Sequence, residues 1–189
     1  MSLEDNIALF DMDGTICNYD LGLFLALEKL RSPLEPRFTG PLRDGAPDYI
    51  KKRADMIRAD KEWWANLPRF QLGWDILCVA RGLGYRIMIL TQGPKKNPNA
   101  WSGKKIWIDS NLGENVDVTM TRDKSLVYGK VLADDFPGYI QGWLKWRKNG
   151  LVIMPASEEN KDYNHPQVIR YTGENLKQVR ESMERVKSR

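Results

Sequence analysis

Apolar residues in this chain follow two rhythms. The run Ile7-Ala8-Leu9-Phe10 is continuous and stops at Asp11-Met12-Asp13-Gly14-Thr15, the pattern of a short buried strand that ends in a tight loop. Residues 20–31, with Leu21, Leu25 and Leu30, predict a helix; the Pro- and Gly-containing stretch 32–47 predicts a loop, and 48–66 a second helix. No strand pattern appears between the first strand and Gly73. From Trp74 onward helix and strand alternate: helix 74–81, strand 85–90, helix 101–112, strand 116–120, strands 130–133 and 151–154, then a charged helix over 173–187 docked by Leu176, Val179 and Met183. Alternation of this kind predicts an α/β fold, a Rossmann-like parallel sheet with helices on both faces. The strandless segment reads as a small helical cap inserted in it, so the expected domains are a core of 1–16 and 74–189 and a cap of 17–73.

Composition narrows the class. A chain of 189 residues, 42% hydrophobic, buries one core and carries at most a small extra lobe. The 29 Lys and Arg against 25 Asp and Glu, net +4, suit an anionic substrate. The basic residues are scattered, and Lys145-Trp146-Arg147-Lys148 is too short for a nucleic-acid patch, so a nucleic-acid partner is not favoured. Cys17 and Cys78 have neither metal-ligand spacing nor a disulfide framework, which points to a reducing, cytoplasmic setting. Residues 1–6 lack a signal-peptide pattern and no apolar run nears the roughly 20 residues that span a bilayer, so no membrane association is expected. The lone histidine, His165, lies in a polar stretch and reads as a loop residue, and Trp101, Trp143 and Trp146 read as packing. A homodimer is left open.

Chemistry concentrates where the predicted strands end. Asp11 and Asp13 follow the first, Thr91 the second, Lys124 comes shortly after the third, and Asp134-Asp135 follow the fourth. In an open α/β sheet the ligand site lies outside the carboxyl ends of the strands, so residues far apart in sequence gather there. Three or four carboxylates make a hard oxygen cage for Mg²⁺, while a lysine and a hydroxyl suit phosphate oxygens. The set points to phosphoryl transfer, with Asp11 as nucleophile and Lys124 neutralising the equatorial oxygens. Asp13 is placed to protonate the leaving alkoxide and then to take a proton from the hydrolytic water. Loop or helix capping explains any one of these acids but not all of them at strand ends.

Asp11-Met12-Asp13-Gly14-Thr15, Thr91, Lys124 and Asp134-Asp135 resemble motifs I to IV of the haloacid dehalogenase (HAD) superfamily, and the second aspartate, Asp13, resembles its phosphatases and phosphomutases. A closer resemblance is to the 5'(3')-deoxyribonucleotidases. Thr121-Arg122-Asp123-Lys124-Ser125-Leu126-Val127, running into Val131-Leu132-Ala133-Asp134-Asp135, is similar to their motif III to IV segment, with looser similarity at 91–95, 104–113 and Trp63-Trp64. The resemblance implies Mg²⁺ held by Asp11, the Asp13 backbone carbonyl and Asp135, with Asp134 orienting the metal shell or Lys124. It implies phosphate contacts from Thr91, Lys95 and Lys124, with Lys104 as a further candidate. Tyr19, six residues after Asp13, falls where the family places a substrate-facing aromatic, and with Trp63 and Trp64 it supplies a stacking wall for a base. Core packing of the helical lobe is the competing role for the two tryptophans. The expected activity is Mg²⁺-dependent dephosphorylation of deoxyribonucleoside monophosphates through a phospho-aspartate. The alternatives are another small phosphomonoester, a polynucleotide end, or a non-catalytic binding module. Two departures bear on substrate: Gln92-Gly93 stands where those nucleotidases carry Ser-Pro, and 38–47 does not match their base-contacting segment.

Overall fold

A computed structural model of the chain describes residues 6–40 and 45–189. Most of the N-terminal segment read above, and the 41–44 part of the 32–47 loop, lie outside the described residues. The chain divides into two compact units: Met1–Cys17, Arg69–Gln92 and Asn115–Arg189 form one, and Asn18–Pro68 with Gly93–Glu114 form the other.

The first unit is built on six parallel strands: β1 (Ile7–Phe10), β2 (Arg86–Thr91), β3 (Asp117–Met120), β4 (Val131–Ala133), β5 (Leu151–Pro155) and β6 (Val168–Tyr171), in the order β3-β2-β1-β4-β5-β6. β1 is central and its four residues are apolar because both faces are covered. Leu9, Leu90, Leu132, Val152 and Met154 pack with Ile140, Trp143 and Leu144 of helix α6 (Pro137–Leu144). Alternate strand residues point to the opposite face, where α4 (Gln71–Gly82) and α7 (Leu176–Lys187) pack on each other and on the sheet. Each large apolar side chain buried this way is worth about 1.5–3 kcal/mol. Helix α6 and strand β6 were not expected. Pro137, Gly138 and Gly142 break the helical signal, although Pro suits the first helical turn, and β6 is only four residues long.

The second unit is helical: α1 (Tyr19–Lys29), α2 (Asp48–Ala59), α3 (Lys61–Ala65) and α5 (Pro98–Leu112). The helix expected over 48–66 is broken at Asp60, which is extended and whose carboxylate accepts from Glu62 N at 3.0 Å, starting α3 afresh. Leu23, Leu27, Ile50, Ala54 and Ile57 form its core. Helix α5, expected in the core domain, groups with this unit instead, which is therefore larger than 17–73. Its Asn97 and Asn99 donate to the carbonyls of Arg58 and Ala59, its buried Trp107 donates to Leu67 O, and Gly103 lies where a Cβ would come within 2.5 Å of Lys61 O and Trp64 Cβ. Helix–strand alternation alone does not reveal which body a crossover helix packs on. Among the described residues no helix is long and apolar enough to cross a membrane.

Helix α4 presses on the loop that follows β1. A Cβ on Gly73 would fall 1.7 Å from Thr15 O, and Phe70 N and Trp74 Nε1 both donate to Ile16 O, at 3.0 and 2.9 Å. Gly73→Ala is therefore expected to cost about 3 kcal/mol of stability by overpacking against backbone, read as a lowered urea midpoint. An unchanged midpoint would show that the helix does not hold the loop.

Candidate active site

The register of the sheet sets the site. Phe10 pairs with Ala133 on one side and Ile89 on the other, so Asp11 stands level with Asp134 and Leu90, and Thr91 is one step farther along β2. Asp11 N continues the ladder by donating to Ala133 O at 2.9 Å. The chain then turns tightly, with the amides of Thr15, Ile16 and Cys17 all donating to Met12 O. Gly14 is required twice over: its φ is +75°, and a Cβ there would lie 2.5 Å from Asp135 Oδ2. The turn brings Thr15 Oγ1 to within 3.1 Å of Asp135 Oδ1, to which it donates, and Cys17 Sγ to 3.7 Å from Asp13 Oδ1.

Lys124 lies in a single 3-10 turn, Lys124–Leu126, started by Asp123, whose side chain accepts from Ser125 N. Its ammonium is 2.8 Å from Asp11 Oδ1 and 2.6 Å from Asp134 Oδ2, and the side chain is 1% exposed. Burial alone would lower its pKa, but the two carboxylates outweigh burial and raise it above the ordinary lysine value, so it stays charged. Asp134 is fully buried and both its oxygens are engaged, Oδ2 by Lys124 and Oδ1 by Phe136 N at 3.0 Å. Burial pushes its carboxyl up to about 6 against the pull of Lys124, and the Asp11 charge adds to the rise. Burial also raises Asp135, reinforced by the charges of Asp134 and Asp11.

Asp11, Asp134 and Asp135 each offer a carboxylate oxygen, all within 4.8 Å of one another. Three carboxylates with two raised pKa values and one lysine are under-neutralised, and a hard divalent cation fits that donor set. Asp11 and Asp135 are the better ligands, because Asp134 already spends both oxygens on Lys124 and Phe136 N.

Of the residues picked from sequence, the core unit holds Asp11, Asp13, Thr91, Lys124, Asp134 and Asp135, with Thr91 buried at the end of β2. The helical unit holds Tyr19, Trp63, Trp64, Lys95 and Lys104. There the three aromatic rings cluster at centroid distances of 4.8–5.7 Å, and Arg58 Nε donates to Tyr19 OH at 2.7 Å. Trp64 is 4% exposed and Lys104 1%, with the Lys104 ammonium 5.3 Å from the Trp64 ring centroid. Lys95 is exposed.

Three contributors were missed. Tyr139 of α6 lays its ring 4.5 Å from the Lys124 ammonium and hydrogen-bonds Gln92. With its amide oxygen turned toward Arg122, Gln92 accepts from that guanidinium at 2.8 and 3.0 Å. Buried Asn160 donates to Asp135 O at 3.1 Å and Pro155 O at 2.9 Å, tying the end of β5 to the last carboxylate. Tyr139 sits in the helix whose pattern was hidden. Asn160 lies in a polar stretch with no periodicity, and only the unmatched Gln92 gave any signal.

A folded-state pKa raised above the unfolded one means that the native state binds more protons in between, so stability falls as pH rises through the folded value. For Asp134 that window runs from about 4 to about 6. With chelator present, thermal stability is expected to lose this contribution across the window, and added Mg²⁺ to restore an increment that grows with pH. Asp135→Asn is expected to raise the metal-free melting temperature by about 2–4 °C and to remove the Mg²⁺ increment. Calorimetry from pH 4 to 8 with and without Mg²⁺ reads both; an increment unaltered by Asp135→Asn would place the cation elsewhere.

No family model matches the chain. Among curated proteins it is 24% identical over 138 residues, 69% of this chain and 74% of the other, to a Bordetella pertussis protein provisionally named a 5'(3')-deoxyribonucleotidase. A Bordetella bronchiseptica protein of the same provisional name matches to the same extent. Among solved structures, a magnesium-bound HAD-hydrolase of Bacillus subtilis, provisionally assigned, superposes with TM-score 0.56 at 12% identity, over 94% of this chain and 98% of that one. A provisionally assigned haloacid dehalogenase-like hydrolase of Burkholderia xenovorans does so with TM-score 0.53 at 16% identity, over 95% and 98%. The fold of this chain is thus that of these haloacid dehalogenase-like hydrolases, and its sequence is similar to that of proteins provisionally named 5'(3')-deoxyribonucleotidases.

Proposed function

We propose that the protein is a Mg²⁺-dependent phosphomonoesterase, and within that class a 5'(3')-deoxyribonucleotidase acting through a phospho-aspartate. The observation that carries the reading is Lys124, buried between Asp11 and Asp134 at 2.8 and 2.6 Å. It orients Asp11 through one oxygen, and its charge offsets the negative charge that a phosphoryl group brings to this cluster. Asp11 and Asp135 would hold the divalent cation with the backbone carbonyl of Asp13; when bound it supplies charge neutralisation at the transferring phosphoryl group.

Asp11 attacks phosphorus, and the ester P–O bond breaks as Asp13 gives its proton to the leaving alkoxide. Water then attacks the phosphorus of the phospho-aspartate while Asp13 accepts its proton, and the P–O bond to Asp11 breaks to release orthophosphate. The Cys17 thiol at 3.7 Å from Asp13 Oδ1 helps fix that carboxyl. Thr91, Lys95 and Lys104 remain proposed phosphate contacts, and Tyr19, Trp63 and Trp64 proposed base contacts. These assignments rest on the sequence resemblance, and the burial of Trp64 gives it a packing role as well.

Another small phosphomonoester is the second reading, favoured by Gln92. That residue bonds Arg122 and Tyr139 where the nucleotidases carry serine.

Phosphate release from deoxy- and ribonucleoside monophosphates, sugar phosphates and a 5'-phosphorylated oligonucleotide, with Mg²⁺ and with chelator, tests the reading. Mg²⁺-dependent release chiefly from deoxynucleotides is expected; preference for sugar phosphates would favour the second reading. Asp11→Asn should abolish turnover with the fold intact, and Asp13→Asn should lower kcat by about 10²–10⁴. Near-normal turnover in Asp11→Asn would rule out the covalent mechanism.

A further inference from the structure

A cavity of about 400 Å³ opens at the amino ends of β4 and β5, lined by Tyr128, Lys130, Arg147, Asn149, Val186 and Arg189 together with Gly129 and Gly150. The candidate active site lies at the carboxyl ends of the same sheet, since Lys130 precedes β4 and Asp134 follows it. No step of the proposed reaction uses these residues.

Three features give the cavity a chemical preference. Its charged side chains are all cationic, and none of Lys130, Arg147 or Arg189 forms an ion pair among the described residues. Lys130 Nζ gives one hydrogen bond, to Lys187 O at 3.2 Å, out of three an ammonium can donate. Arg147 donates to Ser125 O and Trp146 O, yet its Nε is buried with no acceptor. Arg147 therefore has donor capacity that the described residues do not use.

The turn that carries this arginine is held in place. Gln167 Nε2 lies 3.1, 3.0 and 2.8 Å from the carbonyls of Arg147, Lys148 and Gly150, gathering onto one amide three oxygens that would otherwise repel an anion. Gly150 is obligatory there, since a Cβ would lie 2.6 Å from the Trp143 ring and 2.9 Å from Arg147 Cβ. Tyr128, half exposed, adds a flat ring at the rim, with the Arg147 guanidinium 5.9 Å from its centroid.

We propose that this cavity is a second anion site that binds a small phosphorylated molecule through Lys130 and Arg147, independently of the carboxylate centre. The shared chemistry is a phosphate group against a preorganised lysine and arginine. The source is either an inorganic polyphosphate or a nucleotide whose base rests on Tyr128.

The test is isothermal titration of the full chain with pyrophosphate and with ADP, in chelator. Without a cation the cluster of Asp11, Asp134 and Asp135 repels anions, so binding there does not compete. Wild-type protein is expected to bind at least one of the two, more weakly as salt rises. Lys130→Gln and Arg147→Gln should each weaken binding at least about tenfold, the loss of one charge-assisted hydrogen bond. If Arg147→Gln fails to fold, Lys130→Gln alone decides. ADP binding more tightly than pyrophosphate, with the advantage lost in Tyr128→Leu, identifies a nucleotide, and equal affinities identify the phosphate alone. No binding of either probe, or wild-type affinity in Lys130→Gln, overturns the proposal. Neither result depends on whether the protein is a phosphatase.

Discussion

A lysine ammonium removed from water is tolerable only where charge is returned to it, and Lys124 receives that charge from Asp11 and Asp134 together. Desolvating an ion costs several kcal/mol even after relaxation, and a buried charge that loses its partner costs more than the pair contributes. The central strand must therefore end level with its neighbour, the 3-10 turn must deliver the lysine between the two, and Asp134 must stay ionised although burial pushes it up to about 6. Gathering Asp11, Lys124 and Asp134 in one small volume follows from satisfying this one ammonium.

The supporting contacts read as consequences of that demand. Gly14 leaves room for Asp135, Gly73 lets α4 brace the loop through Thr15 and Ile16, and Asn160 ties the last carboxylate to the end of β5. Tyr139 closes one side of the lysine with its ring, and its link through Gln92 to Arg122 couples the ends of β2 and β3 to that position. None of these groups need be reactive. They remove alternative positions for Asp11, Lys124 and Asp135, and a site held in this way needs little reorganisation when charge develops.

The two ends of β4 lie in different electrostatic surroundings. The carboxyl ends gather Asp11, Asp134 and Asp135 around Lys124, a donor set that could hold a cation, while the amino ends of β4 and β5 present the side chains of Lys130 and Arg147 to one cavity. Strand β4 is three residues long, so the two environments are separated by about 10 Å of buried apolar chain.

Local pattern was enough for much of this protein. A continuous apolar run reads as a doubly covered strand, and chemically useful residues placed directly after such runs must meet at one edge of a parallel sheet; Asp11, Thr91, Lys124 and Asp134-Asp135 were legible for that reason. Short elements with weak signals were not, as with α6 behind Pro137 and Gly138 and the four residues of β6. Periodicity reports which residues are buried but not against what, so the membership of α5 in the helical unit was decided by Trp107, Gly103, Asn97 and Asn99 finding their partners. Nor does sequence tell which oxygen of a carboxylate is already spent. Only the packed structure places both oxygens of Asp134 on donors, brings Tyr139 over Lys124 and leaves Arg147 Nε without an acceptor, because each depends on distances between residues whose separation along the chain carries no information about them.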